Sequence, residues 1–130
     1  MDFLNEIDLY LRAKATLMIV ISAEEERILE ELKTLCLNTG RSCVSWDIAD
    51  GFQSIYGDLL PAGGRDPLTA LEQIEKADAR QPFLYILKDF NEFWENTTVK
   101  RKLRTLAEQL KFTNRSLLFR RGWSVPGWVW

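Results

Sequence analysis

Apolar positions along this chain alternate between two periods, one helical and one extended. Phe3, Leu4, Ile7 and Leu11 recur at helical spacing, with Asp2 placed to cap the helix they define. Residues 15–21 then form an unbroken run rich in β-branched side chains, the pattern of a strand buried on both faces. Ser22 and Glu25 have the spacing of a capping box, in which each side chain satisfies the other residue's free amide. The helix it opens carries Ile28, Leu29, Leu32, Leu35 and Cys36 on one stripe and stops at Asn38-Thr39-Gly40. Residues 42–46 read as a second strand, with 47–51 leaving its carboxyl end. Residues 57–64, broken by Pro61 and Gly63-Gly64, read as loop.

Asp66-Pro67 starts a further helix, because proline at the first helical position lacks only an amide that would have had no partner. Leu68, Leu71 and Ile74 are its inner stripe. Residues 82–87 make a third strand ending in Lys88-Asp89-Phe90, followed by a short helical turn at 91–94. Residues 98–112 are strongly amphipathic, with Val99, Leu103, Leu106, Ala107 and Leu110 facing inward. Residues 116–119 read as a fourth strand. Strands separated by helices predict a three-layer α/β domain whose mostly parallel sheet has about four to five strands. One domain over 1–119 is expected, followed by a Trp-rich tail over 120–130.

Composition narrows the field. At 130 residues the chain can bury roughly 65–70% of its unfolded surface and needs no staples to fold. Its apolar runs are far short of the ~20 residues that cross a bilayer, so no membrane association is expected. The acidic start lacks the basic flank and cleavage site of a signal peptide, so a cytoplasmic location is expected. There is no histidine, and Cys36 and Cys43 are the only cysteines. A zinc site would therefore lack ligands, and two buried, reduced thiols are the simpler reading.

The missing histidine also removes Ser-His and Cys-His nucleophiles. A phosphate-binding loop needs glycine amides and a lysine, yet the turn after the first strand is Ser22-Ala23-Glu24-Glu25-Glu26. Those carboxylates stabilise a helix start but repel a phosphate there, so no nucleotide cofactor is expected. Asp47, Asp50 and Asp89 fall at carboxyl ends of strands, where ligands of open α/β sheets bind, and offer an alternative Mg²⁺ site. Against that, strand-end aspartates commonly cap turns, and Phe90 stands where a second acid would strengthen the metal reading.

Charge is uneven. Residues 98–121 carry Lys100, Arg101, Lys102, Arg104, Lys111, Arg115, Arg120 and Arg121 against Glu108 alone. Lys100, Arg101, Lys102, Arg104 and Lys111 are the candidate partner-binding residues, on the outward arc of the amphipathic helix. The overall acidic balance disfavours nucleic acid, and the arc reads either as a solvated helix face that offsets the acidic helix beginning at Glu24 or as a surface that docks on an acidic protein face.

Six stretches carry a resemblance to a known family. They are 1–7, Glu24-Glu25-Glu26-Arg27, Trp46-Asp47-Ile48-Ala49-Asp50-Gly51-Phe52, 65–74, Leu87-Lys88-Asp89-Phe90 and Val99-Lys100-Arg101-Lys102-Leu103-Arg104. In order and spacing they resemble the N-terminal domain of an AAA-type ATPase family of cyanobacteria and red-algal plastids. The resemblance implies a degenerate ATPase-like core without its phosphate loop, and a longer protein whose ATPase module follows. No catalytic residue carries over. The implied role is a non-catalytic adaptor or assembly domain, with a protein partner, its own ATPase module or a second copy as the thing bound. The alternative is a small Mg²⁺- or nucleotide-dependent enzyme using the strand-end aspartates. The tail departs from the family pattern, and its mix of Trp, Gly and Arg reads as a frameshift or truncation product or, alternatively, as a hydrophobic tail that packs on a partner or on the sheet edge.

Overall fold

A computed structural model describes residues 3–21, 24–61, 63–77 and 80–121. The elements in order are α1 (Phe3–Arg12), β1 (Leu17–Ile21), α2 (Glu25–Thr39), β2 (Ser42–Asp47), β3 (Gly51–Tyr56), α3 (Pro67–Lys76), β4 (Phe83–Lys88), a 3-10 turn (Phe90–Phe93), α4 (Thr97–Leu110) and β5 (Arg115–Arg121). Three sequence expectations lie outside the described residues: the Asp2 cap, Ser22 of the capping box, and the tail beyond Arg121.

The sheet runs β1-β5-β4-β2-β3. β1, β5, β4 and β2 pair in parallel, and β3 pairs antiparallel with β2. The three-layer α/β reading holds, with a core on each side of the sheet. One core gathers Ile7 and Leu11 of α1 and Ile28, Leu32 and Cys36 of α2 against Leu84, Ile86 and Leu118. The other sets Leu71 and Ile74 of α3 and Val99, Leu106 and Leu110 of α4 against Tyr85, Leu87, Leu117 and Phe119. Alternation along β4 and β5 divides their side chains between the two cores, as period-two geometry requires.

Local signals explain most boundaries. Asp66 accepts the Thr69 amide at 2.9 Å with Pro67 behind it, as its spacing implied. Asn96 caps α4 by accepting the Val99 amide at 3.1 Å. Gly40 ends α2 with φ +71°, a left-handed conformation that a side chain would resist. Cys36 and Cys43 are fully buried on the α1/α2 side. The Cys43 thiol is pushed up by the adjacent Cys36 thiol and by burial, so it stays protonated.

Three expectations need correction. First, β3 was not anticipated. Asp47 Oδ1 accepts the amides of Ala49 (3.0 Å) and Asp50 (2.7 Å), closing a side-chain-stabilised turn that folds β3 back along β2. Gly51 completes the reversal at φ +71°, where an added Cβ would stand 3.3 Å from the Gly64 carbonyl oxygen. Second, α2 starts at Glu25 with Glu24 in the capping position and no side-chain cap bond, so Glu25 is the first helical residue rather than the third. Third, β1 is not buried on both faces. It is an edge strand with Leu17, Ile19 and Ile21 exposed by 43%, 57% and 56%. Its continuous apolar run reflects a partly uncovered surface.

Candidate functional site

Chain direction locates the crevice where ligands of open α/β sheets bind. α2 carries the chain from β1 past β5 and β4 to β2, whereas α4 returns it from β4 to β5 on the opposite face. The switch therefore lies at the carboxyl ends of β1, β5 and β4. The side chains gathered there come from the start of α2 and the ends of β2, β4 and β5.

They neutralise one another. Lys88 Nζ stands 3.2 Å from Asp47 Oδ2 and 3.6 Å from Glu25 Oε2. Arg120 donates to Glu25 Oε1 at 3.0 Å and lies 3.9 Å from Asp89 Oδ1. The Lys88 and Arg120 side chains are only 10% and 8% exposed, so these charges are largely withdrawn from water. Glu25, the first residue of α2, sits at the positive end of that helix, where a phosphate would otherwise bind. Partial burial works to raise the Asp47 carboxyl. The Asp50 amide, Lys88 and the Ala49 amide outweigh it and hold the group below the usual carboxylate range.

A cavity of about 310 Å³ remains beside these pairs, bounded by Asp47, Lys88, Asp89, Glu92 and Phe93. Asp89 sits at its mouth with φ +55°, its amide donating to the Arg120 carbonyl at 2.7 Å. The aspartates of the alternative metal reading are not assembled. Asp47 is committed to its turn and to Lys88, Asp50 is exposed, and no group of three or more potential ligands is positioned for a metal among the described residues. Glu25 and Arg120, which organise the crevice, were not singled out as site residues in the sequence. In the sequence Glu25 has the spacing of a helix cap and Arg120 belongs to a basic stretch.

The basic helix is also rearranged by tertiary contacts. Arg115, Arg120 and Arg121 of β5 are buried and add little to the positive surface. Arg115 donates to the Ile74 carbonyl and lies 5.7 Å from the Tyr85 ring centroid. Lys102 is half-buried and joins α4 to α3 through Glu75 at 3.3 Å. Lys111 pairs with Glu108 at 3.2 Å, and Lys100 lies 4.0 Å from Glu95. Arg101 and Arg104 are exposed and make no ion pair among the described residues. The outward charge therefore concentrates on Lys100, Arg101 and Arg104.

Beside that charge lies a feature the sequence did not signal. α4 covers β4 and β5 but leaves β1 bare on its side. Leu17 and Ile19 share an open groove of about 210 Å³ with Trp94, Leu103 and Phe119. Lys100 and Arg104 complete its lining.

Fold and site together define a sheet domain whose usual ligand crevice is occupied by its own ion pairs. The chain belongs to the family of SpoVK-like AAA ATPase N-terminal domains, whose model matches residues 3–127. It is 34% identical over 119 residues to the "uncharacterized AAA domain-containing protein ycf46" of Trieres chinensis, which spans 91% of this chain and 24% of that protein. The proteins of the same description from Guillardia theta and Pyropia yezoensis are 34% and 31% identical over 119 residues, again 91% of this chain and 23% and 24% of theirs. The chain thus spans about a quarter of the length of these curated relatives. No solved structure matches it significantly. Among the described residues no helix is long and apolar enough to cross a membrane.

Proposed function

We propose that this chain is a non-catalytic adaptor or assembly domain that binds an acidic protein surface through α4, in the cytosol or a plastid stroma. The partner is another protein or the ATPase module of the longer family members, and ATP hydrolysis belongs to that module. The observation that carries the reading is the contrast between two sets of cations. Lys88 and Arg120 are withdrawn into ion pairs in the crevice, whereas Arg101 and Arg104 stand exposed. Arg101 and Arg104 make no ion pair among the described residues, and like charges so exposed, with Lys100 beside them, favour association with opposite charge. Lys102 and Lys111, already paired, contribute less.

The test uses the remainder of the Trieres chinensis relative, prepared without its matched region, as the binding probe. Titration calorimetry against this chain is expected to show association that weakens with salt and is lost in the combined Lys100→Glu, Arg101→Glu, Arg104→Glu variant. Unchanged binding by that variant would remove α4 from the account. A parallel titration with Mg²⁺ and ATP addresses the enzyme alternative. Heat of binding at micromolar concentration, abolished by Asp47→Asn or Asp89→Asn, would favour it over docking.

A further inference from the structure

β1 ends the sheet, and nothing in its composition protects that end. Exposed edge strands are ordinarily blunted by lysine, proline, a bulge or a covering element, because their free amides and carbonyls template another strand. β1 reads Leu17-Met18-Ile19-Val20-Ile21, with no charge and no proline. The Leu117 amide donates to the Thr16 carbonyl at 2.8 Å, which sets the alternation. Thr16, Met18 and Val20 turn their backbone groups toward β5, and Leu17, Ile19 and Ile21 turn theirs outward. The same three residues carry the exposed side chains, and their partners Leu117 and Phe119 lie in the α4 core. Among the described residues no strand pairs with the outward backbone groups of Leu17, Ile19 and Ile21, the same three residues whose aliphatic side chains are uncovered.

We infer that β1 accepts an additional strand from the remainder of a longer family polypeptide, an extended segment with alternating aliphatic side chains and a carboxylate directed at Lys100 and Arg104. The curated relatives hold about three quarters of their length outside the matched region, so such a segment has a source. The added strand's backbone satisfies the outward groups of β1. Its aliphatic side chains on the α4 side cover Leu17, Ile19 and the groove beside Leu103 and Phe119. Lys100 and Arg104 fix the charge of the incoming segment. The same two cations argue against a second copy of this chain, because a symmetric edge-to-edge pair brings both copies' α4 charges toward one seam. The inference rests on the docking reading for its use of Lys100 and Arg104, and on the sheet edge for the rest.

Overlapping peptides of about 20 residues, each long enough to contain a full strand, are prepared to cover the remainder of the Trieres chinensis relative. Each is added to the intact 130-residue chain, and amide hydrogen exchange is followed by NMR. At least one peptide is expected to slow exchange at Leu17, Ile19 and Ile21 by about tenfold or more while leaving β4 unchanged. Ile19→Pro, which removes an outward amide not used by β5, is expected to abolish that protection. Should Ile19→Pro fail to fold, Ile19→Lys serves instead and is expected to weaken the peptide about tenfold. The idea is overturned if no peptide protects the β1 amides. It is equally overturned if light scattering shows a dimer that Ile19→Lys dissolves, since the edge then belongs to a second copy. Binding that Arg101→Glu abolishes while β1 stays unprotected rejects strand addition and keeps the docking reading. Protection of β1 that is indifferent to Lys100→Glu with Arg104→Glu keeps strand addition and rejects docking by charge.

Discussion

β1 and β4 are both aliphatic-rich strands, Leu-Met-Ile-Val-Ile and Phe-Leu-Tyr-Ile-Leu-Lys, yet they occupy opposite situations. β4 lies between β5 and β2, with a helical layer on each face, and Phe83 to Leu87 are all buried. β1 has one strand neighbour and one covered face, and three of its five residues are exposed. An apolar run records that a strand meets apolar surroundings. It does not record whether those surroundings belong to the same folded unit. The difference between the two strands is what makes β1 a candidate for completion by another segment.

The comparison is broken most directly from its central side. Leu87→Ala leaves a cavity in a fully buried layer and is expected to cost about 2–5 kcal/mol in urea unfolding. Ile19→Ala on the edge is expected to stay within about 0.5 kcal/mol. Comparable losses at both positions would mean that β1 is covered in the isolated chain. Next in size is Arg120→Ala, which leaves Glu25 without its closest partner and is expected to cost about 1–3 kcal/mol, reduced by Glu25's partial exposure.

Helix capping gives a smaller effect. Asp66→Ala removes the acceptor for the Thr69 amide and is expected to cost about 1 kcal/mol, while Asp66→Asn is nearly neutral. The smallest expected effect is in the acid limb. The folded-state Asp47 carboxyl is held below its unfolded value of about 3.9, so its stabilisation is present above that pH and is lost as pH falls through the lower folded value. Between about pH 5 and about pH 2 the Asp47→Asn variant is therefore expected to lose less stability than the parent chain, measured by urea midpoints.

Most helices were legible because their signals are local. The Asp66-Pro67 start and the Val99, Leu106 and Leu110 stripe depend on neighbours within a turn or two. β3 was not legible, because Gly51-Phe52-Gln53-Ser54-Ile55-Tyr56 becomes a strand only where the Asp47 turn lays it beside β2. The sequence shows the positive stretch as charge but not which of its cations the fold withdraws from the surface. Alternation alone could not show that Arg115 and Arg120 would find the Ile74 carbonyl and Glu25 across the fold. Lys102 likewise looked free until α3 brought Glu75 beside it.

Local patterns in the chain encode the alternation of helix and strand, the lack of glycine amides after β1, and the residues able to carry charge. These follow from neighbours a few positions apart. Strand order decided the rest: which aliphatic strand lies at the centre and which at the rim, and which cations are spent inside the molecule. Those outcomes depend on groups far apart in the chain, 95 residues for Arg120 and Glu25, and no local pattern encodes the path that brings them together.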